Sequence, residues 1–152
     1  MSTARLHPPP AAAPRSLRET FDFFEQPRNL PLITPPWLGF RILTPDPIVM
    51  RRGLTVDHQV RVFGMRRHWR SIISEYDPPF SFRDEQVIGP YRLWDHRHRF
   101  WREAGETVIE DFVVYAPPPG PVGALIHRIA IRRQLRAIFD FRRRAIARLL
   151  AG

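Results

Sequence analysis

The sequence predicts an α+β fold in which an antiparallel sheet packs its concave face on one long C-terminal helix. Three observations carry that prediction. Six runs of strand-forming residues between positions 38 and 115 are punctuated by Pro, Gly and Asp; residues 122–150 contain no proline and carry an apolar stripe; two short helical stretches precede the strands. With 152 residues, 43% of them hydrophobic and 26% charged, the chain suits a single domain with one packed core.

Residues 1–14 read as an extended Pro/Ala-rich tail, because the run Pro8-Pro9-Pro10 supplies no backbone donors. Ser16 followed by Glu19 forms a capping box, and Leu17, Phe21 and Phe24 fall at helical spacing, so a short helix runs to about Glu25. Pro27 ends it, residues 28–33 allow a further turn, and Pro35-Pro36 force a loop ahead of Trp37. Strands are expected over 38–43, 54–63, 68–76, 80–88, 91–101 and 108–115, joined as a meander through Gly64-Met65, Asp77-Pro78-Pro79, Gly89-Pro90 and Ala104-Gly105. Residues 44–53 form a loop over one end of the sheet, and residues 117–121 a rigid break. The helix that follows spans roughly 28 residues and about 42 Å. Ile131, Leu135, Ile138, Ala145, Ile146 and Leu149 share its apolar stripe; most of its arginines lie off that stripe, and Arg142 falls on it.

The net charge is +9, and all 24 basic residues are arginine. Residues 1–121 hold 16 arginines against 14 acids, whereas residues 122–152 hold 8 against the single Asp140, so the excess sits on the C-terminal helix. Arginine without lysine reflects a coding bias as much as phosphate contact. Cysteine is absent, which excludes disulfides, thiolate metal sites and cysteine nucleophiles. No apolar run is long enough for a transmembrane helix, and the N-terminus lacks the apolar core of a secretory signal, so a cytoplasmic location is expected. No Gly-x-Ser-x-Gly elbow and no phosphate-cradling glycine loop occurs.

Alternation along residues 91–101 puts Trp94, His96, His98 and Phe100 on one face, the candidate lining of a cavity. His96 and His98 then stand about 7 Å apart, suited to hydrogen bonds in a pocket wall or to a general base and its helper. Two ligands also open a metal set, but no HExxH and no carboxylate triad accompanies them, so no metal and no cofactor is expected. Asp84 and Glu85 point to opposite faces and make no paired-carboxylate site; Glu85 suits an ion pair with Arg83. Glu110 alternates with Val108 and Phe112, and if that face is the inner one, Glu110 requires a partner such as a histidine or Arg142.

Certain motifs go beyond this pattern. Phe21-Asp22-Phe23-Phe24 with Pro27-Arg28-Asn29-Leu30, then Thr34-Pro35-Pro36-Trp37-Leu38-Gly39-Phe40, form one set; Asp84-Glu85-Gln86, Gly89-Pro90-Tyr91, Trp94-x-His96-x-His98-x-Phe100, Gly120-Pro121 and Phe139-Asp140-Phe141-Arg142 form another. In these the chain resembles a bacterial branch of the START-like superfamily, also called SRPBCC or polyketide cyclase/dehydrase-like, over about Pro14 to Leu150. The resemblance implies a helix-grip fold: a curved antiparallel sheet of about six or seven strands wrapped around the long helix, with two short helices after the first strand position. Residues 15–150 then make one ligand-binding domain, and residues 1–14 are a tail or a degenerate first strand near Thr3 to His7. It also implies an internal cavity for a hydrophobic ligand such as a lipid, polyketide or quinone-like molecule.

The expected function is therefore non-catalytic binding of such a molecule. Trp94, His96, His98, Phe100, Phe112, Tyr115, Ile138 and Arg142 are the expected contacts. One alternative is a cyclase/dehydrase-type enzyme moving a proton with His96 or His98. Another is an adaptor that docks on a ribosome, on RNA or on an anionic membrane through the arginine-rich helix. The sequence does not set the oligomeric state.

Overall fold

The computed structural model describes residues 3–62, 64–118 and 124–152, with side chains of the last segment described from Arg128 onward. Phe63, the Gly120-Pro121 pair and the first residues expected of the long helix, Val122 and Gly123, lie outside the described residues.

The N-terminal segment enters the sheet and is not a free tail. Ala4–Leu6 (β1) and Ala11–Ala13 (β2) both pair antiparallel with the last strand, so the short first strand near Thr3 to His7 is present. Between them, residues 7–10 stand opposite residues 110–112, four against three. The proline run fits because it occupies this bulge on an edge strand, where no ladder donor is demanded.

Helix α1 (Leu17–Glu25) begins where the capping residues put it: Ser16 Oγ accepts from the Glu19 N–H at 3.1 Å. After Pro27 the chain tightens into a 3-10 helix over Pro27–Ile33 and a second 3-10 turn over Pro36–Leu38. The strand expected over 38–43 thus shrinks to Arg41–Ile42 (β3), because Gly39 closes the turn in the left-handed region at φ 60°. Thr55–Val62 (β4), Met65–Asp77 (β5), Ser81–Ile88 (β6), Leu93–Glu103 (β7) and Glu106–Ala116 (β8) complete the meander. Tyr91, expected in a strand, is tied instead to the Gln86 side chain, which accepts from its N–H at 3.1 Å and donates to its carbonyl at 2.7 Å.

The strands form one antiparallel sheet ordered β1-β8-β7-β6-β5-β4-β3, with β2 also on β8. Helix α2 (Ala124–Leu149) crosses its inner face. Ile131, Leu135, Phe139, Ala145 and Ile146 are buried there, Leu149 is exposed, and Leu150 is buried in its place. Along the inner face the core divides in two. Phe21 and Phe24 of α1 seal one half against Phe82, Phe100, Ile109 and Ile146. In the other, Trp69, Tyr91, Trp94 and Tyr115 meet Ile131, Leu135 and Phe139 of α2. No described helix is long and apolar enough to cross a membrane.

Candidate functional site

Between these two halves lies a cavity of about 200 Å³. The sheet contributes Val56, Val60, Trp69, Tyr91 and Trp94; the segment after α1 contributes Leu30, Leu38, Phe40 and Met50; α2 contributes Leu135, Ile138 and Phe139. Apart from Ser71 on β5, His58 on β4, Thr34 and Gln134, its polar lining is one cluster: Asp84, His96, His98 and Arg142.

Sheet register builds that cluster. Asp84 on β6 lies directly across from His96 on β7, and His98 lies across from Asp111 on β8. Side chains directly opposite on neighbouring strands share a face, so three strands deliver two imidazoles and two carboxylates to one spot. Nε2 of His98 meets Asp84 Oδ2 at 2.6 Å, and Nε2 of His96 meets Asp111 Oδ1 at 2.8 Å. His98 Nδ1 lies 3.2 Å from the same Asp111 oxygen, out of hydrogen-bond alignment. The two imidazoles stack at 3.8 Å, and His98 stacks on Phe82 at 4.1 Å. From α2, Arg142 brings Nη2 to 3.5 Å from Asp111 Oδ1, with its guanidinium carbon near the rings of Phe24 and Phe139 at 5.4 and 5.8 Å.

Burial opposes charge on every member, and the neighbours decide which stay charged. For Asp111, burial is outweighed by the Arg142 charge and by the His96 and His98 contacts, which hold its carboxyl well below the usual range. Asp84 is likewise held low against burial, first by the hydrogen bond from His98 and then by the cationic groups around it. Burial lowers His98, but Asp111 and Asp84 on its two sides outweigh it and raise it, favouring the imidazolium. His96 goes the other way: burial and the His98 charge lower it despite the bond to Asp111, so it is the neutral member. At the far wall, burial pushes His58 down to about 4, where it stacks on Trp69 at 5.5 Å.

His98 is thus clamped between two carboxylates. His96 uses Nε2 for Asp111, and its Nδ1 has no hydrogen bond among the described residues, which leaves that edge able to take a proton from a bound molecule. Asp84, His96 and His98 bring ligand-type atoms within 4.8 Å of one another, a third donor that the sequence did not offer. Stacked imidazoles do not aim their lone pairs at one point, and Arg142 places a cation beside Asp111. The arrangement suits shared protons, not an ion.

Of the eight expected contact residues, Trp94, His96, His98, Ile138 and Arg142 come together on the cavity. Three do not line it. Phe100 is 2% exposed and locked between Phe21 at 5.1 Å and Phe24 at 5.4 Å, because α1 covers that end of β7. Tyr115 packs behind Tyr91 and Trp94. Phe112 is on the opposite face of the sheet, edge-on to His7 at 5.8 Å. Its pairing with Arg97, an outward residue of β7, sets that parity. The same parity removes Glu110 from the cavity: it meets His7 at 3.1 Å and Arg99 at 3.5 Å, and the carboxylate beside Arg142 is Asp111. Arg83 does approach Glu85, at 3.6 Å, though its tighter partner is Asp95 at 2.6 Å. Asp84, Asp111, His58 and Tyr91 were missed. A signal existed for His58 in the alternation Val56, His58, Val60, Val62, and for Asp111 in the two-residue turn that fixes its register.

A model of the family described as polyketide cyclase/dehydrase and lipid transport matches residues 13–141. No curated protein sequence matches the chain. Solved structures share the fold at low identity. The Zhui aromatase/cyclase from Streptomyces sp. R1128 has a TM-score of 0.68 at 15% identity, covering 97% of this chain and 96% of that one. Protein Ms6760 from Mycobacterium smegmatis has a TM-score of 0.64 at 17% identity, covering 97% and 90%. The di-domain aromatase/cyclase StfQ of the steffimycin biosynthetic pathway has a TM-score of 0.71 at 12% identity; 97% of this chain matches 50% of that one.

Proposed function

This chain belongs to the polyketide cyclase/dehydrase and lipid transport family, and from that premise we propose that it binds a hydrophobic small molecule in the cavity without transforming it. The observation that carries this reading is the lining: mostly apolar and aromatic, with Asp84, His96, His98 and Arg142 clustered together. Burial of the ligand's body against Trp69, Trp94 and Ile138 supplies affinity at roughly 25 cal/mol per Å². The polar end fixes orientation. Native mass spectrometry of the purified protein tests the reading: a co-purifying or added lipid or aromatic compound is expected in the spectrum, and its absence across a panel of such compounds overturns it.

A second reading has a specific observation in its favour, the neutral His96, whose Nδ1 has no hydrogen bond among the described residues and whose partner Asp111 also faces the Arg142 guanidinium. That pair suits removal of a proton next to a carbonyl whose oxygen Arg142 stabilises, the step a cyclase/dehydrase-type enzyme requires. His98, bonded to Asp84 and in charge contact with Asp111, would orient and polarise without exchanging protons. Turnover of a polyketone-like substrate that vanishes in His96→Ala and survives in part in His98→Ala decides for the enzyme.

A further inference from the structure

Both carboxylates of the polar end already have hydrogen-bond partners: Asp84 has His98 at 2.6 Å and Asp111 has His96 at 2.8 Å. Arg142 is left over. It is 9% exposed and lines the cavity, yet its Nε and Nη2 have no hydrogen-bond partner. The carboxylate oxygen beside it, at 3.5 Å, also serves His96. An arginine cannot shed its proton, so a buried guanidinium short of acceptors carries a desolvation cost that its 3.5 Å approach to Asp111 and its ring contacts offset only in part. Nε–H and Nη2–H lie along one edge of a planar group, a fork whose spacing matches the two oxygens of a carboxylate.

We propose that Arg142 anchors an acidic headgroup, and that the ligand is an apolar molecule ending in a carboxylate. This rests on the cavity-binding reading above and adds the headgroup chemistry to it. The hydrocarbon body lies against Trp69, Trp94 and Ile138, and the carboxylate takes the guanidinium while remaining in reach of His96. Charge balance has a consequence. With Asp84, Asp111 and the ligand there are three anions in the cluster, against Arg142 and the His98 imidazolium. The charged and titratable groups around His96 are Asp111 from β8, Asp84 from β6 and His98 on its own strand, with Arg142 from α2 approaching Asp111. Protonating His96 restores neutrality, so the anion enters with a proton and binds more weakly as pH rises.

Calorimetric titration of the full chain with naphthoate, acetylnaphthalene and methylnaphthalene separates the possibilities. Naphthoate is expected to bind about tenfold or more tighter than the two uncharged compounds, the gain typical of hydrogen bonds to a charged group. Its heat is expected to vary with the buffer's ionisation enthalpy in proportion to about one proton taken up. Arg142→Met is expected to erase the preference, and Arg142→Lys to keep part of it. If Arg142→Met does not fold, the ranking in the unmodified protein decides alone. Equal affinity for all three compounds, or a preference that survives in Arg142→Met, overturns the anchor and leaves the cavity reading standing. Failure of all three to bind overturns both.

Discussion

The sealed and open halves of the inner face share strands β7 and β8 and the same kinds of residue, yet one is filled by α1 and its buried residues meet the cavity only through Phe24 and Phe82, while the other forms most of the cavity wall. On β7, Trp94 and Phe100 are three alternations apart, both aromatic, both inward and both nearly inaccessible to bulk solvent. Phe100 has α1 over it, with Phe21 and Phe24 filling the space. Trp94 has no α1 residue over it; it packs on Trp69 at 5.3 Å and Tyr91 at 5.1 Å and opens onto the cavity. The difference teaches that facing inward does not make a residue a ligand contact. What matters is whether a covering element arrives, and α1 covers only one end of the sheet. The polar cluster stands at the seam, where packing from α1 stops.

The comparison breaks first in stability. Phe100→Ala is expected to cost about 3–5 kcal/mol, because its site is enclosed on all sides and cannot collapse, while Trp94→Ala costs roughly half as much because it enlarges a space already present. Denaturant titration of both variants checks this. Ligand affinity is expected to move the opposite way, retained in Phe100→Ala where it folds and reduced severalfold in Trp94→Ala; equal losses in both assays would erase the distinction between the halves.

Acid sharpens the comparison next. His58 on the open wall has its folded pKa depressed from 6.5 to about 4. A depressed histidine contributes stability at high pH that is lost as pH falls from 6.5 toward 4, by about 3 kcal/mol at most. His96 is lowered and acts in the same direction, whereas raised His98 contributes stability at low pH that is lost as pH rises through its folded value. Asp84 and Asp111, both lowered, contribute above the unfolded carboxylate pKa and lose it as pH falls through their folded values. Stability measured against pH is therefore expected to decline below about 6.5 and to fall further below about 4. His58→Phe is expected to flatten the first decline alone; an unchanged profile in that variant would place the titration elsewhere.

The smallest effect is expected on the outer face of α2. Arg132, Arg133 and Arg136 are exposed, and reversing Arg136 to glutamate is expected to change stability by less than about 0.5 kcal/mol and leave ligand affinity intact. If the helix is also a docking surface for RNA or anionic lipid, the same variant lowers a salt-dependent affinity to RNA or to phosphatidylglycerol vesicles without touching either of those readouts.

Much of this was legible in the chain. The capping box at Ser16 located α1, Ala104-Gly105 located the β7–β8 hairpin, and the proline-free C-terminus located α2, because each depends on local backbone chemistry. Alternation put His96 and His98 together on the inner face. Alternation within residues 108–115 does not say which set faces inward; counting back through the two-residue turn pairs Phe112 with outward Arg97 and brings Asp111 inward. Asp84 gains no partner from its neighbour Glu85, which points to the other face; its partners are 12 and 14 residues away on another strand. The split first strand was obscured because a proline run contradicts strand propensity, and only an edge position with a bulge tolerates it.

The sequence by itself determined the element order, the antiparallel sheet with its long helix and the inward direction of Trp94, His96 and His98, all set by periodicities of two and of about 3.6 residues. Tertiary structure alone decided that α1 closes one half and leaves the other open, and that Asp84, Asp111 and Arg142 converge on the two histidines from three different elements. Hydrogen-bond register and helix placement are long-range facts, fixed by how distant segments bury their apolar faces together. The helical stripe already marks Arg142 among the 24 arginines of the chain, but only the tertiary structure shows it as a buried charge short of acceptors at the end of an apolar cavity.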